Sequence, residues 1–183
     1  IGSFDGVHRG HQQLVKTLVY SASTLGFRTV VFTFFPHPSV VLKKQQQPFY
    51  INRPQERAEL LGALGIDWVI THPFDNSVRK QSAKTFLERL RLALDFRELW
   101  CGPDFALGHQ REGNIEWLHS YGPSLGYKLN VIDAVMQDKS SVSSSRIRRA
   151  LRSGDIPDVT DCLGRNLRIP ATVIQGDTPG QSI

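Results

Sequence analysis

GSFDGVHRGHQQLVKTLVYSASTLGFRTVVFTF, residues 2–34, contains a glycine-rich loop, a helix and a strand in succession. From Leu14 onward the apolar positions recur at helical spacing, which predicts a helix over residues 10–24 stopped by Gly26. RTVVFTF (28–34) is β-branched and aromatic without polar alternation, as expected of a strand buried on both faces. Loop, helix and buried strand together make half of a parallel α/β unit, because parallel strands need a crossover helix between them. The chain opens on Ile1-Gly2 without a methionine or a signal-peptide pattern, and it is expected to lack most of a strand before this loop.

The same alternation continues outward. RPQERAELLGALG (53–65) has helical spacing, with Pro54 in an early turn and Gly65 at the close, and DWVITH (67–72) is a second buried strand. SAKTFLERLRLAL (82–94) is a strong helix with Ser82 placed to cap it, and RELWCG (97–102) is a third strand. A second glycine-rich loop, GPDFALGHQREGN (102–114), precedes a helix at 115–126 that is expected to break near Gly122-Pro123. YKLNVIDAV (127–135) is a fourth strand. SSSRIRRALRSGD (143–155) is a short basic helix ended by Gly154, followed by a turn of helix at about 157–163. PHPS (36–39) and KKQQQP (43–48) are predicted loops, and Gln45-Gln46-Gln47 is the one low-complexity run. The predicted fold is α/β: a Rossmann-like open parallel sheet with helices on both faces. Ligands on such sheets bind beyond the carboxyl ends of the strands, where the charged helix starts should lie.

A length of 183 residues fits one large domain and leaves room for a short second module. Apolar residues make up 40%, enough for a core, and no run approaches the ~20 apolar residues of a membrane span. The net charge of +5 suits an anionic partner, or simply a solvated basic surface. Cys101 and Cys162 form no C-x-x-C pair, so neither a disulfide framework nor a zinc knuckle is indicated, and a reducing cytoplasm fits.

His8, Arg9 and His11 approach a helix N-terminus, the end where aligned peptide dipoles favour acids. Three readings are open. Two histidines three apart can share a zinc ion, although no third ligand follows. One histidine can cap the turn while the other packs. Or Gly6 and Gly10 allow close backbone approach, and free N–H groups with two imidazoles receive phosphate oxygens. The pattern returns at VSSSRIRRALR (142–152): Ser143 or Ser144 is a normal cap, but Arg146, Arg148 and Arg149 stand where a capping box would place acids. The alternative there is an arginine face in solvent. Two such starts in one α/β chain favour a shared phosphate ligand.

These residues carry a resemblance. G-x-F-D-G-V followed by H-x-G-H, with serines and I-R near the far end, resembles the nucleotidylyltransferase superfamily. GSFDGVHRGHQ (2–12), FTFFPHPSVVL (32–42), GPDFALGHQREGN (102–114), VSSSRIRRAL (142–151) and SGD…LGR (153–165) more closely resemble the FMN adenylyltransferase module of prokaryotic bifunctional riboflavin kinase/FAD synthetases. The chain departs from that pattern at Phe35, where an acid is frequent, and at Ala106-Leu107, where a basic–aromatic pair is usual. Ser145 replaces a threonine and keeps the hydroxyl.

The resemblance implies a nucleotidylyltransferase fold and the reaction ATP + FMN → FAD + pyrophosphate. It implies catalytic roles for His8, His11 and Arg146. Ligand binding would fall to Gly2, Phe4, Asp5, Gly6 and Gly10 of the first loop, to Pro36 and His37, to Asp104 and Phe105, and to Ser143, Ser144, Ser145 and Arg148. No protein metal ligands are expected, since Mg²⁺ would arrive with ATP and bridge its phosphates. ATP and FMN are the expected partners, with no role for nucleic acid or membrane. Residues 1–165 would be the adenylyltransferase domain, and 166–183 the opening of a riboflavin kinase barrel whose remainder belongs to a parent protein. Rival acceptors within the superfamily (pantetheine phosphate, nicotinamide mononucleotide, a CTP-linked alcohol) are disfavoured by the P-H-P and G-x-D-F segments. A nucleic-acid module is disfavoured because the one basic stretch has no interleaved aromatics.

Overall fold

A computed structural model describes residues 1–43, 50–138 and 140–172. In chain order the elements are α1 (Arg9–Leu25), β1 (Val30–Phe35), α2 (Pro38–Lys43), α3 (Pro54–Gly62), β2 (Trp68–Pro73), α4 (Asn76–Lys80), α5 (Ala83–Leu94) and β3 (Glu98–Cys101). After a 3₁₀ turn at His109–Arg111 follow α6 (Ile115–Leu125), β4 (Lys128–Val131), β5 (Met136–Gln137), β6 (Ser140–Ser141), α7 (Ser144–Ser153) and α8 (Ile156–Leu163). None of the described helices is long and apolar enough to cross a membrane.

The helix spacings translate directly into packing. α1 buries Leu14 and Val15 against Val31 of β1 and Leu61 of α3. It ends at Gly26, which takes the left-handed conformation (φ 70°) without steric cost. Leu87 of α5, Leu99 of β3 and Leu118 of α6 form a second cluster, and Ile147 of α7 joins Val159 and Leu163 of α8 in a third. β1 and β2 pair in parallel with Val30 opposite Trp68, and β3 and β4 in parallel with Glu98 opposite Lys128.

The α/β class with parallel strands holds, but among the described residues the strands form two parallel pairs rather than one continuous sheet. A cavity of about 310 Å³ lies between the pairs, lined by Val30 and Phe32 of β1 and by Leu99 and Trp100 of β3. The opening residues run beside β1, where the Gly2 N–H donates to the Phe32 carbonyl at 3.0 Å.

Several local expectations are corrected. PHPS does not stay a loop: His37 Nδ1 accepts from the Ser39 N–H at 3.0 Å, and Pro38 begins α2 with its φ already suited to a helix. α4 forms because Asp75 caps it, accepting from Ser77 and Val78. α6 is not broken at Gly122-Pro123. Pro123 stands in the last turn, where its missing N–H costs the helix a single bond, and Gly126 closes it. The strand expected over 127–135 is only four residues long, and a small antiparallel hairpin, β5–β6, follows it. The turn at 157–163 is a two-turn helix capped by Asp155. Residues 166–172 form neither helix nor strand, while Gln45–Gln47 and most of the expected barrel strand lie outside the described residues.

Candidate active site

The first loop is built so that its carbonyls are occupied from behind. The Phe4 carbonyl accepts from Val7 N–H, and the Asp5 carbonyl from Ser144 Oγ at 2.8 Å. Gly6 and Val7 carbonyls accept from Arg165, and Val7 also from Gln12 Nε2. The backbone N–H groups of Phe4, Asp5, His8, Arg9 and Gly10 have no partner among the described residues. Phe4 and Val7 take positive φ (48° and 40°), as does Gly6 (87°). A β-branched valine there is a true outlier, held only because the surroundings over-determine it. Asp5 is one of those surroundings. It is fully buried, its carboxylate accepts from the N–H groups of Ile51 and Asn52, and Arg148 Nη2 donates to it at 2.5 Å. Asn52 Oδ1 in turn accepts from the Gly6 N–H. Asp5 therefore fixes the loop instead of facing a ligand.

His8 is the N-cap of α1: its Nδ1 accepts from the His11 N–H at 3.4 Å, which places the ring proton on Nε2. The His11 ring stacks on His8 with centroids 3.7 Å apart and packs on buried Phe4 at 5.0 Å. Gly10 makes room for this pair, since a Cβ there would lie 3.2 Å from the His8 ring. Burial holds the His8 pKa down at about 4, with Asp5 opposing and Arg148 and Arg165 adding to the shift. Burial likewise holds His11 well below the usual histidine range, helped by His8 and Arg57. Both rings are thus neutral at pH 7. The apparent conflict between cations and the α1 dipole is corrected: a neutral imidazole with a free Nδ1 lone pair caps a helix as an Asn or Asp oxygen does.

At α7, Ser143 caps through the Arg146 N–H, Ser144 is tied to the first loop, and Ser145 is exposed. Arg146 is engaged elsewhere. Its Nε and Nη2 donate to Asp158, the latter at 2.5 Å, and its Nη1 donates to the carbonyls of Gln137 and Ser140. It ties the β5–β6 hairpin to α8 in this structure. Arg149 is the exposed arginine of this helix start.

On the other side of the loop a cavity of about 470 Å³ collects Gly2, His37, Asp104 and Phe105 among the anticipated residues. Its walls include Phe34, Phe74, Phe86 and Leu107, with Arg79 and Arg111 at the polar side. Pro36 is exposed at the end of β1, outside this lining. His37 links the two halves electrostatically. Burial lowers its pKa to about 4, and the charges of Arg148, Asp5 and Arg57 all reach it. No group of three or more His, Cys, Asp or Glu side chains fit to hold a metal occurs among the described residues.

The family model described as FAD synthetase matches residues 1–146, a stretch that includes the first loop, both histidines and the residues of the aromatic cavity. The chain belongs to the FAD synthetase family. Bifunctional riboflavin kinase/FMN adenylyltransferase of Listeria monocytogenes is 32% identical over 184 residues, covering 100% of this chain and 58% of that protein. The protein of the same name from Pseudomonas fluorescens is 33% identical over 177 residues, covering 96% of this chain and 57% of its own length. This FAD synthetase-family chain thus spans less than two thirds of the curated relatives it matches. The crystal structure of a macrolide-efflux protein from Streptococcus pneumoniae superposes with a TM-score of 0.76 at 23% identity, over 91% of this chain and 56% of that one. That likeness shows a shared fold.

Three further residues of this FAD synthetase-family chain shape the site outside the anticipated set, Arg165 among them as the last residue of the L-G-R segment. Asn52 and Arg165 hold the loop, and Arg57 donates from beneath it to the Ser3 carbonyl. A signal existed for Arg57: it stands four residues before Leu61, on the stripe of α3 that periodicity assigns to the core. The roles of Asn52 and Arg165 depend on contacts across 46 and 159 residues, which spacing does not report.

Proposed function

We propose that this domain transfers the adenylyl group of ATP to the phosphate of FMN, giving FAD and pyrophosphate. The observation that carries the reading is the first loop of a FAD synthetase-family chain, with bound carbonyls, unclaimed N–H groups and two neutral imidazoles. The FMN phosphate is already an oxyanion, so its oxygen attacks the α-phosphorus without a general base. The bond from that phosphorus to the bridging oxygen breaks, and pyrophosphate leaves with the electron pair. What the protein must supply is alignment of two anions and donors for the charge that develops on the leaving group. His8 Nε2–H, the His11 ring and the N–H groups of residues 8–10 supply those donors. The aromatic walls formed by Phe34, Phe74, Phe86 and Phe105 take the flavin ring, and Arg79 and Arg111 supply positive charge beside it.

Mg²⁺ enters with ATP as part of the substrate. The described residues form no cage for it and Asp5 is spent within the loop, so no step is assigned to a protein-bound ion. A nucleic-acid role draws no support from α7, because Asp158 holds Arg146 and Asp5 holds Arg148. We assign residues 1–165 to the transferase and leave the kinase reaction named for the relatives to the part of those proteins that this chain does not match. The cytoplasm suits its two buried free thiols.

The test is incubation with FMN, ATP and Mg²⁺ followed by chromatographic separation of flavins. FAD is expected, and His11→Ala should lower kcat by about 10²–10³, the typical worth of one such donor. Absence of FAD with the unaltered chain refutes the reading.

A further inference from the structure

Arg57 stands one turn before Leu61 on α3 and is 1% exposed. Its Nη1 donates to the Ser3 carbonyl at 2.7 Å and to the Thr33 hydroxyl oxygen at 3.1 Å. Thr33 donates to the same carbonyl at 3.1 Å, so one guanidinium nitrogen and one hydroxyl hold the start of the first loop from below. The rest of the guanidinium is unanswered. Nε and Nη2 are buried without a hydrogen-bond partner among the described residues, and no described acid pairs with Arg57. Asp5, the acid that acts on it most, is already bound to Arg148.

A buried cation without a carboxylate, and buried donors without acceptors, are both costly to keep. A fold that only needed to fill this space would do better with a methionine or leucine on the same stripe. The charge also reaches the rest of the site, since it helps keep both His11 and His37 neutral. Among the described residues no carboxylate is ion-paired with Arg57, and the one acting on it most, Asp5, is shared with Arg148, at a point beneath a loop of unclaimed N–H groups. Arg57 does not reach through the loop to a ligand, because Nε and Nη2 are enclosed. Its influence passes through Ser3 and through the field it sets up.

We propose that Arg57 is a positioning residue for the polyphosphate: it pins the Ser3 end of the first loop, and its buried charge is balanced only when a polyphosphate anion fills that loop. This rests on the reading of the loop as the ATP phosphate site. The test compares the 183-residue chain with Arg57→Met and Arg57→Lys, using inorganic pyrophosphate as the binding probe and ATP as the substrate.

Without anion, Arg57→Met is expected to melt no lower than the unaltered protein, because an uncompensated charge has been removed. Its Kd for pyrophosphate should rise at least tenfold, and its KM for ATP should rise in step while kcat changes less than about threefold. Arg57→Lys keeps the charge and loses the fork, and it should lie between the two. A purely structural arginine predicts the reverse: Arg57→Met melting several degrees lower with pyrophosphate affinity unchanged. That result overturns the proposal. If Arg57→Met does not fold, an unchanged pyrophosphate Kd in Arg57→Lys overturns it instead. An unaltered protein that binds no pyrophosphate speaks against the transferase reading itself, not against Arg57 alone.

Discussion

Lowering the pH from 7 to 5 should destabilise this fold through His8 in particular. The ring is 6% exposed, its Nδ1 is committed as an acceptor to the α1 cap, and burial holds its pKa near 4 against 6.5 for an ordinary histidine. The unfolded chain therefore takes up a proton at this residue between pH 6.5 and 4 that the folded chain refuses. Stability is flat above that window and falls as pH drops through it, by about 1.4 kcal/mol per pH unit. At pH 5 the loss at His8 comes to about 2 kcal/mol, or roughly 4–8 °C in Tm for a domain of this size. His11, lowered by burial and by its charged neighbours, acts in the same direction.

The assay is calorimetric melting at pH 7, 6 and 5 at constant ionic strength, on the unaltered chain and on His8→Asn. Asparagine preserves a cap acceptor and removes the titration. His11, His37 and the buried Ile1 amine, whose pKa burial lowers to about 6, are common to both proteins, so the difference between them reports His8. The unaltered protein should lose at least ~4 °C more than His8→Asn between pH 7 and 5. Parallel curves for the two proteins would refute the claim that His8 is buried as a neutral cap.

Two further substitutions test the framework of the site. Asp5→Asn removes the buried carboxylate charge that accepts from Arg148 and from the Ile51 and Asn52 N–H groups, and should cost about 3–5 kcal/mol in urea unfolding; a change under ~1 kcal/mol would show the pair to be dispensable. Gly108→Ala places a Cβ 2.5 Å from the Ala83 backbone nitrogen at φ +80°, so α5 or the cavity wall must shift. It should lower the melting point by several degrees, and an unchanged melt would mean that the 102–114 loop is not held as described.

Much of the architecture was legible because it is local. Ser82 and Ser143 cap their helices, and Gly26 and Gly154 close theirs in left-handed conformations, as spacing and residue type required. The misreadings were local too. α2 and α4 are short helices started by a proline and by an aspartate cap, features that also describe turns. Within the H-x-G-H motif, the glycine makes room for the His8 ring.

What the residues do there was not legible. Sequence gives His8 and His11 the option of a positive charge, and tertiary burial removes it. Sequence offers Arg146 as a phosphate ligand, while the fold brings Asp158 to it at 2.5 Å. Asp5 looks like a site acid until the packed chain closes it against Arg148, 143 residues away. Helix periods, caps and turns are set by hydrogen bonds between residues a few positions apart, so residue order alone determines them. Charge state and the choice of ionic partner depend on desolvation and on groups brought together over more than a hundred residues, and these exist only once the chain has packed.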